Sequence, residues 1–364
     1  MVADRDDFFM RQALQLAERG RGHTSPNPMV GALVVDRDGV IVGRGAHAFA
    51  GGPHAEVHAL ADAGARAAGA TLYCTLEPCS HTGRTGPCAP LVAAAGIARV
   101  VIATHDPNPL VAGRGVAFLR ERGLEVRAGV QAADAARLNA PFFTAMTKGR
   151  PFVTLKIALS QDGRIAANPG ARTPLTGLAA NRQVQRDRAE VDGIAVGVET
   201  VACDDPLLTA RGAYRARPLT RVIFDRRLRT APSARIFTTL AAGPVIIMTS
   251  LTAATVDAER AAALRGAGAE IEPVGEESVA PALRALLARG VTSLIVEGGA
   301  RLHRAFWDAG VVDRVQMYVT PRVLGAAGVT WLPPSLLSAP ALGERTVRIL
   351  GDDLLIEAYV HRTD

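Results

Sequence analysis

Strand-length apolar runs alternate with helix-length stretches along the whole chain, and this alternation limits the fold more than any other feature of the sequence. The predicted strands lie at 29–35, 40–45, 71–75, 99–103, 124–128, 152–159, 193–198, 221–224, 245–248, 293–296 and 315–319. Helical spacing of apolar residues occurs at 5–19, 54–68, 116–122, 181–189, 258–265, 279–289 and 301–309. One further helix begins near Pro87, and another extends to about Met146. Such alternation is typical of layered α/β domains, so both halves are predicted to be α/β.

The segment Lys148-Gly149-Arg150-Pro151 interrupts this pattern before a new apolar run begins. A length of 364 residues also suggests two domains, at roughly 150 residues per domain. We therefore predict domains over 1–149 and 150–364. No apolar run approaches the roughly 18 residues of a membrane span, and the N-terminus is acidic where a signal peptide is basic. We expect a cytoplasmic protein without a membrane partner.

The charge of the chain is mildly positive, with 41 Lys and Arg against 35 Asp and Glu. Only two of these cations are lysines, the arginines are scattered, and aromatic residues make up 4% of the chain, which is too few for a base-stacking platform. The balance therefore favours small phosphorylated substrates over nucleic acid as the partner.

A set of metal-ligating residue types stands in the first half. His54 and Glu56 open a predicted helix, and Pro78-Cys79 and Cys88 follow on a loop and a helix start. Zinc deaminases need one His, two Cys, an open position for water and a Glu that is not a ligand, in the order H-x-E and P-C-x-x-C. Zinc lowers the pKa of a bound water from about 15.7 to about 7, and Glu56 is the candidate proton shuttle.

Eight residues separate the two cysteines instead of two, so unrelated buried cysteines and a structural histidine remain an alternative. Iron or cobalt also suits this ligand set. His58 lies one helical turn after His54, but a fourth protein ligand would close the site, so we interpret His58 as packed or as supporting the ligands. Cys74 and Cys203 are predicted to be core residues.

Four strings in this half, "SPNPMVGALVV", "GGPHAEVHAL", "LEPCSHTGRTGPC" and "DPNPLVAGRG", resemble the bifunctional riboflavin-biosynthesis deaminase–reductase family. The resemblance continues in "LKIALSQDGRIA", "VGVETVACDDPLLTAR" and "LIVEGGARL". It implies a cytidine-deaminase-like α/β/α domain followed by a dihydrofolate-reductase-like α/β domain. It also implies deamination of 2,5-diamino-6-ribosylamino-4(3H)-pyrimidinone 5′-phosphate and then reduction of the ribosyl group with NADPH. We also expect a homo-oligomer.

The resemblance assigns His54, Cys79 and Cys88 to zinc and Glu56 to proton transfer. It places four further residues around the pyrimidine and the phosphate of the deaminase substrate: Asn27, His47, Arg84 and Thr85. The residue types agree with these roles, because a guanidinium and a hydroxyl suit a phosphate and an amide can pair with a ring edge. Arg84 alone could also be a solvated loop charge.

The sequence evidence for a cofactor site in the second half is weaker than that for the metal site, because no G-x-G-x-x-G follows a strand there. Glu297-Gly298-Gly299 stands between a predicted strand and helix, where glycines let a backbone approach a phosphate, although ordinary turns look the same. The resemblance places the cofactor near Leu159, Pro174, Thr200, Asp204, Arg226, Gly299, Ala300, Arg301, Leu302, His303, Arg304 and Ala305. It places the substrate near Arg172, Arg188, Leu208, Arg211 and Glu297.

Lys156 is unusual because it is one of two lysines and sits inside an apolar run. We interpret Lys156 and Glu297 as partners that hold the pyrimidine ring, and the three substrate arginines as a phosphate cradle. Arg226 suits the 2′-phosphate of NADPH, but Asp225-Arg226-Arg227 is equally typical of a surface turn. Pro174 stands where the family has an aromatic residue, which favours the alternative of a non-catalytic second domain. A second alternative is a nucleic-acid base deaminase with a basic binding module, against which the few aromatic residues and the long cysteine spacing count.

Overall fold

A computed structural model describes residues 2–80, 86–109, 111–170, 172–275, 279–332 and 342–360. The chain divides into two compact units, Met1–Gly149 and Arg150–Asp364. Each unit contains a sheet covered by helices, so the prediction of α/β architecture is confirmed for both. None of the helices within the described ranges is long and apolar enough to cross a membrane.

The first unit is built on a five-stranded sheet. Its strands are β1 (Gly31–Val35), β2 (Ile41–Ala46), β3 (Thr71–Cys74), β4 (Arg99–Ile102) and β5 (Glu125–Ala128). Its helices are α1 (Val2–Ala17), α2 (Ala55–Ala63), α3 (Cys88–Ala94), α4 (Arg114–Glu121), α5 (Ala132–Leu138) and α6 (Ala140–Lys148). The strand order is β2-β1-β3-β4-β5, with β1 antiparallel to both neighbours and β3, β4 and β5 parallel. The predicted hairpin of β1 and β2 is therefore confirmed.

Alternating side chains of this sheet face two separate cores. Ala32 and Val34 pack in the cluster that contains the apolar residues of α2, α3 and α4, whereas Leu33 and Val35 pack against α1 and α5. This is the period-two pattern of a strand that is buried on both faces. The unit consequently has three layers, α/β/α.

One close contact fixes where α2 begins. A Cβ on Gly45 of β2 would lie 2.0 Å from the carbonyl oxygen of Ala55, the first residue of α2. Only glycine permits this approach, so the first turn of α2 lies directly on the sheet. His54 and Glu56 are held at that point.

The second unit has a nine-stranded sheet and a small two-stranded one. Its strands are β6 (Phe152–Leu159), β7 (Arg164–Ala166), β8 (Gly193–Gly197), β9 (Thr220–Phe224), β10 (Val245–Ser250), β11 (Ala269–Val274), β12 (Ser293–Val296), β13 (Arg314–Val319), β14 (Val329–Thr330), β15 (Leu342–Leu350) and β16 (Asp353–Val360). Its helices are α7 (Leu178–Glu190), α8 (Val198–Asp204), α9 (Leu251–Val256), α10 (Ala258–Gly266), α11 (Ala280–Ala288) and α12 (Ala300–Asp308).

The large sheet has the order β11-β10-β9-β8-β12-β6-β13-β16-β15, and β7 pairs with β14. The first seven strands of this order are parallel, and β16 and β15 continue the sheet in antiparallel pairs. The carboxyl ends of β9, β8, β12 and β6 therefore lie side by side. In open parallel sheets, ligands bind at the carboxyl ends of the strands.

The sequence patterns missed the strands at the edges of this sheet. At one edge, β11 carries Glu270, Glu272 and Pro273, and at the other edge most of β15 is exposed. Edge strands need no continuous apolar run, and charges or proline on them prevent pairing with other chains. The patterns also missed β16, which lies next to β15, and the short strands β7 and β14. The apolar, buried strands were predicted, namely β6, β8, β9, β10, β12 and β13.

Candidate functional site

The structure brings His54, Cys79 and Cys88 together in the first unit. His54 immediately precedes α2, Cys79 lies on the segment that follows β3, and Cys88 is the first residue of α3. The Nδ1 atom of His54 lies 3.3 Å from the Sγ atom of Cys88 and 3.6 Å from that of Cys79. All three ligand atoms lie within 4.8 Å of one another.

These distances fit one tetrahedral zinc ion. Zinc bonds of about 2.0–2.1 Å to nitrogen and about 2.3 Å to sulfur, at tetrahedral angles, separate the nitrogen from each sulfur by about 3.6 Å. No fourth His, Cys, Asp or Glu joins the cluster among the described residues. The set therefore holds a metal on three sides and leaves one position open. His58 is not a ligand, as expected, but it is exposed rather than packed, because it faces outward from α2.

The thiols of Cys79 and Cys88 influence each other's ionisation in opposite directions. The Cys88 thiol, and then the His54 imidazole, lower the pKa of Cys79 to about 4 against the opposing effect of burial. The same thiol–thiol contact, with burial, raises the pKa of Cys88. The backbone N–H groups of Cys88 and Ala89 donate to Cys79, at 3.4 Å to its Sγ and 3.0 Å to its carbonyl oxygen. A zinc ion held by the two sulfurs would require both cysteines as thiolates.

Glu56 lies next to this cluster, on the first turn of α2. Its side chain is buried, and burial raises its pKa. A cavity of about 350 Å³ opens in front of it and also reaches His54 and Cys79. The further lining residues include Pro26, Asn27, Pro28, Val30, His47, Leu76, Asp106, Asn108, Val111 and Phe142. The cavity therefore places a carboxyl group and a metal-ligating set beside one space.

Asn27 and His47 lie together in the wall of this cavity. His47 is buried, and burial lowers its pKa. Its Nδ1 lies 3.0 Å from the carbonyl oxygen of Pro53, which assigns the proton to Nδ1, so its Nε2 accepts a hydrogen bond from the Asn27 Nδ2 at 3.1 Å. The imidazole is thus neutral and orients the amide of Asn27.

Arg84 and Thr85 lie outside the described residues. The residue patterns also missed Asp106, Asn108, Val111 and Phe142, which line the cavity. The first three belong to the string "DPNPLVAGRG", so the resemblance contained the signal, but no spacing of residue types marked them.

The second unit brings Lys156, Arg188 and Glu297 together, although they are distant in sequence. Glu297 follows β12, whose neighbour β6 carries Lys156, and its Oε2 lies 3.8 Å from the Lys156 Nζ. Arg188 on α7 donates two hydrogen bonds to the Glu297 carboxylate, at 2.9 and 2.8 Å. Burial opposes ionisation of Glu297, but Arg188 and Lys156 outweigh it and hold its pKa at about 2. The Lys156 Nζ also lies 5.4 Å from the ring centroid of Tyr318, which sequence reasoning missed.

Several predicted cofactor residues follow adjacent strands. Leu159 ends β6, Thr200 lies in α8 directly after β8, Arg226 follows β9, and Gly299 follows β12. Thr200 and the glycine turn touch, because a Cβ on Gly298 would lie 2.5 Å from the Thr200 Oγ1. Asp204 ends α8 near Arg172, and burial raises its pKa. These residues therefore lie near the carboxyl ends of neighbouring parallel strands.

Other predicted side chains have roles inside the protein. His303 is fully buried, donates from Nε2 to the Val296 carbonyl oxygen at 3.0 Å and accepts at Nδ1 from the Trp331 Nε1 at 2.9 Å. Leu208 is buried in the core with a φ of 51°. Both side chains are packed in the interior, so only the backbone of these two residues is available to a ligand. Their assignment to the substrate and the cofactor stays a prediction.

The remaining predicted residues of the second unit are partly or fully accessible. The exposed ones are Arg172, Pro174, Arg211, Arg226, Arg301, Arg304 and Ala305, and Ala300 and Leu302 are half-buried. Arg304 forms an ion pair with Asp308. Among the cysteines, Cys74 is buried as predicted, but the prediction for Cys203 is wrong because it lies exposed on α8.

Comparisons with known proteins cover both units. A family model described as "RibD C-terminal domain" matches residues 151–356, and one described as "Cytidine and deoxycytidylate deaminase zinc-binding region" matches residues 3–104. The chain is 39% identical to riboflavin biosynthesis protein RibD of Aquifex aeolicus over 362 residues, which cover 98% of this chain and 99% of the relative.

Two solved structures are similar over the full length. Acinetobacter baumannii RibD matches with a TM-score of 0.87 at 36% identity, covering 99% of this chain and 100% of that one. A diaminohydroxyphosphoribosylaminopyrimidine deaminase/5-amino-6-(5-phosphoribosylamino)uracil reductase from Thermotoga maritima matches with a TM-score of 0.85 at 34% identity, with the same coverage.

Proposed function

The chain belongs to the RibD family of bifunctional riboflavin-biosynthesis deaminases and reductases, and we propose which residues perform each reaction. Membership sets aside both a nucleic-acid base deaminase and a non-catalytic second domain. In this proposal, residues 1–149 deaminate 2,5-diamino-6-ribosylamino-4(3H)-pyrimidinone 5′-phosphate. Residues 150–364 then reduce the ribosyl group of 5-amino-6-(5-phosphoribosylamino)uracil. The observation that carries the proposal is the cluster of His54, Cys79 and Cys88 beside Glu56 in one cavity.

In the deaminase unit, His54, Cys79 and Cys88 would hold zinc. Zinc, when bound, supplies Lewis-acid activation of water. Glu56 takes up the proton of that water and returns it to the ring nitrogen and the departing amine. Burial supports this role, because a raised pKa lets a carboxyl group both accept and donate a proton near neutral pH.

Asn27 and His47 would hold the pyrimidine ring in the cavity. The hydrogen bond from Asn27 to His47 supports this assignment, because it fixes the amide that reads the ring edge. We assign the substrate phosphate to Arg84 and Thr85 from the family resemblance. The substrates are then small phosphorylated pyrimidines, for which a cavity of about 350 Å³ is of suitable size.

In the reductase unit, Lys156 and Glu297 would hold the pyrimidine and align the sugar. NADPH, when bound, supplies the hydride for the ribosyl carbon. The carboxylate of Glu297 is a hydrogen-bond acceptor at neutral pH, because Arg188 and Lys156 keep it ionised. The guanidinium of Arg188 donates hydrogen bonds to the Glu297 carboxylate and to the carbonyl oxygen of Thr209. We therefore assign Arg188 to orienting Glu297, and we assign binding of the substrate phosphate to Arg172 and Arg211.

The nicotinamide cofactor would lie along the carboxyl ends of β9, β8, β12 and β6. The residues near these carboxyl ends are Leu159, Thr200, Arg226 and the backbone from Gly299 to Ala300. Asp204 lies at the end of α8. Arg226 would pair with the 2′-phosphate. Other candidates for cofactor binding rest on the family resemblance alone. They are Pro174, Arg301, Leu302, Arg304 and Ala305. We also propose a cytoplasmic homo-oligomer, which light scattering of the purified chain tests.

A coupled assay tests both roles in one chain. Ammonia release and NADPH oxidation are followed on the diaminopyrimidine phosphate, with and without a chelator. Chelation is expected to stop ammonia release and to spare reduction of substrate that has already been deaminated, because the metal ligands belong to the first unit alone. Ammonia release that persists after the metal is removed to below one tenth of an equivalent contradicts the metal assignment. Addition of zinc is the control and should restore the first activity.

A further inference from the structure

The carboxylate of Glu77 accepts four hydrogen bonds, three from the loop that precedes α4 and one from the first turn of α4. Its Oε2 accepts from the His105 Nδ1 at 3.0 Å and from the backbone N–H groups of Asp106 and Gly113 at 3.3 and 2.9 Å. Its Oε1 accepts from the backbone N–H of Val116 at 3.1 Å. The side chain is fully buried. Glu77 also belongs to the cavity lining, but both of its carboxylate oxygens are occupied by hydrogen bonds within the protein, so we assign its effect to the residues that it holds.

The loop that Glu77 holds is part of the cavity wall. We define the cavity loop as residues 105–109 and 111–113; it contributes Asp106, Asn108 and Val111 to the lining. Glu77 stands two residues before Cys79 on the same segment of chain. One short stretch of backbone thus carries both a metal-ligating thiol and the acceptor for the opposite loop.

Glu77 also completes the N-terminus of α4. Gly113 and Val116 are the cap and third residues of this helix, and their N–H groups have no acceptor within the helix. An anion at this position satisfies both groups and complements the helix dipole. The fit is close, because a Cβ on Gly115 would lie 1.9 Å from the Pro78 carbonyl oxygen and 3.2 Å from the Glu77 Oε1. The cavity loop and the first turn of α4 can therefore pack against Glu77 and Pro78 in one position only.

We propose that Glu77 is a positioning residue of the deaminase: it sets the cavity loop at the correct distance from the metal-ligating segment, so that the pyrimidine substrate meets a preformed wall. This inference rests on the proposed function of the cavity. Without the carboxylate, three buried N–H groups lose their acceptor, and other loop conformations compete with the binding-competent one. The apparent affinity for substrate then falls by the fraction of molecules that keep that conformation, while the chemical step is unchanged.

Three variants separate the effects. Glu77→Ala removes all four contacts, Glu77→Gln keeps one acceptor oxygen, and Gly115→Ala disturbs the same seat from the other side. Asp6→Ala is the matched control, because Asp6 is also a buried carboxylate of the first unit, held by Tyr73, Arg99 and Arg127, none of which lines the cavity. Circular dichroism of each full-length variant at matched concentration measures the amount of folded protein, and reductase activity checks the second unit separately.

We expect Glu77→Ala and Gly115→Ala to raise the deaminase KM about tenfold or more with little change in kcat, and Glu77→Gln to restore most of the loss. Amide hydrogen exchange over 105–116 should accelerate about tenfold in Glu77→Ala and stay unchanged in Asp6→Ala. Zinc content should remain at that of the parent chain. If Glu77→Ala does not fold, the Glu77→Gln and Gly115→Ala variants carry the same comparison with smaller shifts.

Three results overturn the proposal. One is unchanged amide exchange over 105–116 in every folded Glu77 variant, which means that Glu77 does not hold the loop. Another is an equal rise of KM in Asp6→Ala, which makes the effect one of general stability. Loss of zinc from Glu77→Ala also overturns it, because Glu77 would then support the metal ligand. If exchange accelerates with normal KM, the loop is positioned by Glu77 but the cavity is not the substrate site, so the failure lies in the proposed function.

Discussion

Replacing His303 by glutamine is expected to remove most of the dependence of the reductase unit's stability on pH between 5 and 7. The imidazole is fully enclosed between the Val296 carbonyl oxygen and the Trp331 indole. One ring nitrogen donates and the other accepts, so the folded protein fixes the neutral form. Glutamine offers one donor and one acceptor as well, but it does not titrate.

The size of the effect follows from the pKa of this group. Burial lowers the pKa of His303 from 6.5 to about 4. Between these values the unfolded chain binds a proton that the folded chain does not, so the free energy of unfolding falls as the pH falls from about 6.5 to about 4. The full difference corresponds to about 3 kcal/mol, of which about 2 kcal/mol is lost between pH 7 and pH 5.

Urea unfolding followed by tryptophan fluorescence measures this loss. Both tryptophans of the chain, Trp307 and Trp331, belong to the second unit, so the signal reports that unit alone. The parent chain and a His58→Gln control, which changes an exposed histidine of the first unit, should each lose about 2 kcal/mol on going from pH 7 to pH 5. If His303→Gln loses as much as they do, the imidazole is not held neutral in the core, and the argument fails.

Three further predictions concern the proposed sites. Glu56→Gln should slow ammonia release by about 10²-fold or more while metal content and reduction stay normal; loss of metal with the activity would contradict a proton-transfer role. Lys156→Ala should impair reduction and leave ammonia release intact, so an equal loss of both refutes its placement in the reductase site. Arg226→Leu should raise the KM for NADPH about tenfold and leave the KM for NADH unchanged; an unaltered preference makes Arg226 a surface-turn residue.

The metal-ligating set could be predicted from the sequence because its chemistry depends on residue type. His54, Cys79 and Cys88 are side-chain ligands, and their order along the chain matches a known arrangement. The walls of the cavity depend instead on backbone groups, such as the N–H of Gly113 that Glu77 accepts. Every residue except proline carries a backbone N–H, so no residue type marks this contact in advance.

The reductase site was predictable in part for a similar reason. Lys156 was conspicuous because a lysine is costly inside an apolar run, and its contact with Glu297 is confirmed. The ion pair between Arg188 and Glu297 joins residues 109 positions apart, a pairing that only the sheet order establishes. His303 lies on α12 with residues of the predicted cofactor segment, but its side chain is on the face of the helix that packs into the core.

The backbone contacts between Cys79 and the start of α3 have a consequence for how such enzymes diverge. The N–H groups of Cys88 and Ala89 fasten the far end of the intervening segment to Cys79 itself. The two ends of the sequence between the cysteines are thus joined to each other directly, at Cys79 and at the start of α3. The positions of the two sulfurs depend on these contacts and not on the number of residues between the cysteines. A deaminase with a different number of residues between its cysteines can therefore keep the same metal centre.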